Sequence, residues 1–224
     1  MKYINNLIHI MWSNIDQKLV FSEFAIEIRR FEQYDFVAFM IEIFDLILSG
    51  APIYKPLRDI LSRNGVDDEK NEFFRTLFET WWFNPLSTLN LWFLAKKYKL
   101  AYNLLLSIGS RISFDNDKLV QLCNIVQHIE SPAFLELRID LIDPEKNYYL
   151  IKTLQGILMM IPISKAFTAL KTRLECVSLD PRASISVETQ DAKEASGASE
   201  LEDKEIKECL AIFQNAMDMI DKSK

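Results

Sequence analysis

Glycine is scarce: the 224-residue chain holds five, and no two of them stand close enough to build a loop whose backbone N–H groups could cradle a phosphate. Gly109-Ser110 lacks the second glycine of a serine nucleophile elbow. The seven prolines are separated by long apolar stretches, which excludes an all-β fold that turns about every ten residues. Three cysteines, Cys123, Cys176 and Cys209, are too few and too far apart for a disulfide framework or a structural zinc site, and they point to a reducing compartment. Neither histidine, His9 or His128, has a second ligand-type residue at metal spacing. Cys123 and His128 lie five apart and do not share a helix face, so they read as structural residues.

Dense positive charge is also missing. With 26 Lys plus Arg against 32 Asp plus Glu the net charge is −6, which excludes a nucleic-acid role built on phosphate neutralisation. The most apolar run, residues 156–163, is interrupted by Pro162 and is far short of the ~20 residues of a spanning helix. Met1 to Trp12 carries no small-residue cleavage site and does not read as a secretory signal. Acidic residues are scattered over helix faces rather than paired. No catalytic residue, metal or cofactor is expected, and membrane contact is expected through partners.

What the chain does have is helical periodicity. Hydrophobic residues make up 49 % and aromatic residues 12 %, ample for a core. Ile4, Leu7, Ile8, Met11, Trp12 and Ile15 form one stripe, and residues 18–30 and 34–48 read the same way. In the latter the apolar positions cover most of the circumference, as in a helix sandwiched by neighbours. A short helix is expected to about Leu61, before the turn at Arg63-Asn64-Gly65. Asn84-Pro85, Ser131-Pro132 and Asp143-Pro144 each pair a capping side chain with proline, predicting helix starts near 85, 132 and 144. Further helices fit 67–83, 97–108, 115–129 and 163–176, joined by short connections that favour antiparallel neighbours. The fold class is all-α, a HEAT-like stack of helical hairpins (an α-solenoid or irregular bundle) over residues 1–177, although no self-similarity at repeats of about 30–45 residues is visible.

From residue 178 to 205 acidic residues dominate and aromatics vanish, the composition of a disordered acidic linker. Residues 206–221 then read as an amphipathic docking helix. Its seam is Ile206, Leu210, Phe213, Met217 and Ile220, spaced 4, 3, 4 and 3, and it can fold onto its own domain or onto a neighbouring copy.

Other clusters admit two readings. Trp81-Trp82-Phe83 with Trp92-Phe93 is either an exposed anchor or, the simpler reading, the packing of a helical hairpin. Lys96, Lys97 and Lys99 are either a lipid-facing patch or favourable partners of a helix end. Gly156 inside an apolar helix costs about 1 kcal/mol relative to Ala, and a close helix approach would offset it.

Several blocks taken together resemble a known family: Asn84-Pro85-Leu86-Ser87, Ala101-Tyr102-Asn103-Leu104, residues 117–122, Ile129 to Phe134, Leu137-Arg138, Tyr149 to Pro162, and Arg173 to Val177. In order and spacing they are similar to the C-terminal domain of the vacuolar protein fourteen family, scaffolds of the complex that makes and turns over phosphatidylinositol 3,5-bisphosphate. The chain departs from the family pattern at Gln155 and Ile163-Ser164. The resemblance implies a non-catalytic scaffold that holds a FYVE-domain phosphatidylinositol 3-phosphate 5-kinase and a Sac-family lipid phosphatase. It also implies self-assembly into a homo-oligomer, a pentamer, at the cytosolic face of vacuoles and late endosomes. Within the matched blocks Arg138, Lys152 and Arg173 are the candidate partner contacts, against the alternative of internal pairing with Glu130, Glu136 or Glu175. A generic helical adaptor for membrane traffic, unrelated to phosphoinositides, is the alternative function.

Overall fold

The computed structural model describes residues 16–62, 68–111 and 115–177 and four helical positions nearer the C-terminus, 207, 209, 211 and 213. The stripe at residues 4–15, the turn at 63–65, the acidic linker, and Ile206, Leu210, Met217 and Ile220 lie outside the described residues.

Ten α-helices are described, with no strand among the described residues, as the all-α reading expects. They are α1 (Gln17–Ile28), α2 (Tyr34–Gly50), α3 (Lys55–Ser62), α4 (Asp68–Trp81) and α5 (Pro85–Leu94), then α6 (Tyr98–Arg111), α7 (Asn116–Ile129), α8 (Leu135–Asp140), α9 (Tyr148–Met160) and α10 (Lys165–Glu175). Single 3-10 turns, Pro52–Tyr54 and Pro132–Phe134, precede α3 and α8.

The two sets of five are the same unit used twice. Pro52 and Pro132, Lys55 and Leu135, Asp68 and Tyr148, and Pro85 and Lys165 start equivalent elements, each pair 80 residues apart. The packing repeats as well: α1 lies along α4 as α6 lies along α9, α4 meets α5 as α9 meets α10, and α2 meets α5 as α7 meets α10. The period is about twice that of an ordinary helical-hairpin repeat, because each module contains five helices. The two modules join where α5 is covered by α6 and α7, so α5 is buried from Leu86 to Leu94.

Local sequence explains most of the boundaries. Asp16, Asn84, Asp115 and Ser164 cap α1, α5, α7 and α10 through side-chain oxygens that accept backbone N–H groups. Asn84 does more than cap: its Nδ2 donates to the Ala38 carbonyl at 3.3 Å, and its Oδ1 accepts from Gln121 Nε2 at 3.1 Å. One side chain thereby ties α2, α5 and α7 together. Two starts differ from the sequence expectation. Ser131-Pro132 opens the 3-10 turn without a side-chain cap, and the α-helix begins at Leu135. Asp143-Pro144 opens a turn, and α9 begins at Tyr148, because Asn147 Nδ2 folds back onto the carbonyls of Asp140 and Asp143.

The aromatic cluster is core. Trp81, Trp92 and Phe93 are buried, Phe78 stacks on Trp92 at 5.7 Å between centroids, and Trp82 and Phe83 pack against the same core. Gly156 permits the close approach of α9 to α6, since a Cβ there would stand 2.7 Å from Leu105 Cδ2. In the first module the corresponding contact of α1 with α4 is fastened by Thr80 Oγ1, which donates to the Ala25 carbonyl at 2.7 Å.

A polar cluster sits inside the α2–α5 contact. Asn90 Nδ2 donates to Asp45 Oδ2 at 2.9 Å and to Ser49 Oγ at 2.6 Å, and all three residues are buried. Burial pushes the Asp45 carboxyl up to about 8; Asn90 and the Trp81 indole partly oppose the rise and the nearby Glu42 adds to it. Among the described residues no single helix is long and apolar enough to cross a membrane. The one helix pair with enough apolar length, Tyr34–Gly50 with Pro52–Ser62, bends by 83° and contributes Val37, Ile41, Leu48 and Leu57 to the core.

Candidate partner-binding surface

The two modules share an arginine device. Arg58 Nη1 donates to the carbonyls of Leu48 at 2.7 Å and Ala51 at 2.9 Å, satisfying acceptors left over at the end of α2. Arg138 Nη1 does the same for Ile129 and Ser131 at the end of α7. In both modules the arginine follows a Pro-x-aromatic turn and a leucine: Pro52, Tyr54, Leu57 and Arg58 in one, Pro132, Phe134, Leu137 and Arg138 in the other. Tyr54, Phe134, Leu57 and Leu137 are all buried, so each short helix is pinned to its module by two apolar side chains and a clamp.

In the second module this device forms one wall of a groove of about 1070 Å³ between α8 and α10, lined by Arg138, Ile142, Ile163, Ala169, Thr172 and Arg173 among others. Arg173 closes the α7 side of the groove with a two-pronged bond to Glu130, its Nε reaching Oε1 at 2.7 Å and its Nη2 reaching Oε2. Hydrogen bonding by Arg173 holds the Glu130 carboxyl below its ordinary range, and Glu130 in turn raises the guanidinium. The pair is partly exposed, so its effect is more on geometry than on stability.

The structure therefore brings Arg138 and Arg173 to one surface. Lys152 lies elsewhere, on α9, with its ammonium 5.3 Å from the centre of the Tyr148 ring. Of the expected C-terminal seam, Phe213 is helical and 1 % exposed, and the neighbouring Cys209 is also buried. Among the described residues no group of three or more His, Cys, Asp or Glu could hold a metal ion.

The lysines at 96–99 are engaged within the fold. Lys96 closes α5 in the left-handed region at φ 55, with its N–H bonded to Phe93 O and the Lys97 N–H to Trp92 O. Its Nζ lies 3.2 Å from both Glu136 and Asp140, and Tyr98 Oη donates to Asp140 at 2.5 Å. Burial works against the Lys96 charge, but the two carboxylates outweigh it and hold the ammonium above its usual value. Burial, reinforced by Asp140, pushes the Tyr98 phenol far up. Lys99 stands 5.8 Å above the Tyr149 ring. Sequence reasoning missed this α8-to-α6 cluster, because Asp140 lies 44 residues from Lys96 and 42 from Tyr98 along the chain and only the fold brings them together.

The amino-acid sequence has counterparts among known proteins. A family model described as vacuolar protein 14 C-terminal Fig4p binding matches residues 2–177. A VAC14 homolog of Schizosaccharomyces pombe is 36 % identical over 174 residues, 78 % of this chain and 21 % of that protein. The vacuole morphology and inheritance protein 14 of Saccharomyces cerevisiae is 35 % identical over 167 residues, 75 % of this chain and 18 % of that protein. A VAC14 homolog of Arabidopsis thaliana is 32 % identical over 184 residues, 82 % of this chain and 24 % of that protein. The chain thus spans between 18 and 24 % of the length of these relatives. No solved structure matches it.

Proposed function

This chain belongs to the vacuolar protein 14 C-terminal Fig4p-binding family, and on that premise we propose that it is a non-catalytic scaffold module whose work is to hold a Sac-family phosphoinositide phosphatase. The observation that carries the reading is the family match across residues 2–177, which takes in every helix of both modules. The fold suits the task. Two five-helix modules locked through α5 make a rigid support, and rigid supports present partner surfaces without a large ordering cost.

In the wider reading the phosphatase is held beside a FYVE-domain phosphatidylinositol 3-phosphate 5-kinase, so that synthesis and breakdown of phosphatidylinositol 3,5-bisphosphate are controlled at one place. The assembly sits on the cytosolic face of vacuole and late endosome membranes through its partners, and it contains several copies of the chain, a pentamer. The similarity to vacuole morphology proteins supports the location.

Co-expression of the whole chain with a tagged Sac-family phosphatase tests the proposal. Capture of the chain on the tag, resistant to moderate salt, is expected. A chain that flows through while the phosphatase is folded and active overturns it.

A further inference from the structure

At the groove between α8 and α10 the second module lacks, among the described residues, a covering element that the first module has. In the first module the equivalent surface, bounded by Gly50, Arg58 and Phe93, is faced by Ser131 to Leu137, the next module's proline-aromatic turn and short helix. Only about 340 Å³ is left open there, and the contact is fastened by Lys96 to Glu136 and Asp140. Among the described residues nothing equivalent fills the corresponding 1070 Å³.

The side chains have changed to match. Where α5 presents Leu89, Trp92 and Phe93, all buried, α10 presents Ala169, Thr172 and Arg173, of which the first two are exposed and the third half-buried. Small and polar side chains stand where the first module has large core residues, so this face does not need a permanent apolar cover, while its arginine is a residue type enriched at protein interfaces. Two isoleucines nevertheless stand out on its rim, Ile142 at 79 % and Ile163 at 91 % exposed. Of the described tail residues, Cys209 and Phe213 are buried and neither lines the groove. The family match runs through Val177, which lines the same groove.

We propose that this groove is where the phosphatase docks, and that it accepts an apolar proline-aromatic turn leading into a short leucine-bearing helix, the shape that Pro132–Leu137 presents to the first module. The proposal rests on the phosphatase-scaffold reading. Arg138 and Arg173 are then positioned by their internal bonds as polar walls of the groove, with Ile142 and Ile163 supplying the apolar rim.

The test uses the whole chain and the purified Sac-family phosphatase. Cys176 is exposed and lines the groove, whereas Cys123 is half-buried and Cys209 buried, so alkylation of Cys176 reports on the groove directly. Binding is expected to slow that alkylation at least tenfold. Ala169→Trp, which fills the groove, and Ile163→Asp, at a site too exposed to affect folding, are each expected to weaken binding at least tenfold. Phe39→Glu, on an exposed part of α2, is expected to leave binding unchanged.

If the unmodified chain binds but both groove variants bind equally well and Cys176 stays reactive, the groove assignment falls and the scaffold reading stands. If the unmodified chain does not bind, the scaffold reading falls and takes the groove with it. Protection of Cys176 that grows with chain concentration in the absence of phosphatase would assign the groove to a second copy and overturn the proposal.

Discussion

Arg58 and Arg138 stand 80 residues apart and each closes the end of a long helix by donating from Nη1 to two backbone carbonyls. The clamp converts what would be unsatisfied acceptors into the joint of a module, and it makes each arginine structural before it is anything else. Arg58→Ala is expected to destabilise the fold by about 1.5–3 kcal/mol, the usual worth of hydrogen bonds to a charged group. Arg138→Ala should cost less, because Arg138 is half-buried. Thermal unfolding checks both, and unchanged melting of Arg58→Ala would contradict the clamp.

Gly156 and Leu105 set the spacing of α9 on α6. Gly156→Ala gains about 1 kcal/mol of helix propensity, yet its new methyl would meet Leu105 Cδ2 at 2.7 Å. The net expectation is a loss of stability, since overpacking costs about 1–3 kcal/mol. Pairing the change with Leu105→Ala should recover part of the loss, which denaturant unfolding of the two single variants and the double variant would reveal. A Gly156→Ala protein more stable than its parent would show that the helices separate freely.

Much of this was legible in the amino-acid sequence, and the failures have physical causes. Caps such as Asn84 act within one turn of backbone, so their signal is local and readable. The packing of Trp81, Trp92 and Phe93 followed from helical spacing alone. Asp143-Pro144 misled because Asn147 satisfies the nearby carbonyls from the far side of the turn, delaying α9 to Tyr148. The module repeat was hidden because its shared residues are few, a proline, an aromatic, a leucine and an arginine over 80 positions, while the buried faces of α5 and α10 diverged. Of the candidate site, Arg138 and Arg173 were visible as cations among apolar residues. Ile142 and Ile163 were not, because an exposed isoleucine cannot be distinguished from a core one until the neighbours are placed.

Asp45 should make stability depend on pH. Its carboxyl titrates at about 8 in the fold and near its ordinary value of 3.8 when unfolded, so between these values the folded state holds the extra proton. Stability from this group is therefore greatest below pH 4, declines as pH rises through that interval and levels off above about 8. Asp45→Asn removes the titration while keeping a neutral side chain of the same shape. Unfolding free energies from pH 5 to 9 should fall more steeply for the parent than for the variant; parallel profiles would contradict the assignment.

Phe213 is buried within a single chain, so the C-terminal helix contributes to the body that it packs against. Phe213→Ala is expected to cost about 3–5 kcal/mol if the whole side chain is withdrawn from water, and to lower the melting temperature. Removal of residues 200–224 should lower it also, with the mass per particle unchanged. A fall in particle mass on light scattering, with melting unaltered, would place the seam between copies instead.

The most direct measurement is the mass of the species formed when the chain and a Sac-family phosphatase are mixed, read by light scattering on a sizing column. The scaffold account predicts one co-eluting complex that contains the phosphatase together with more than one copy of this chain. Two separate peaks, each at the mass of its own component, would contradict it.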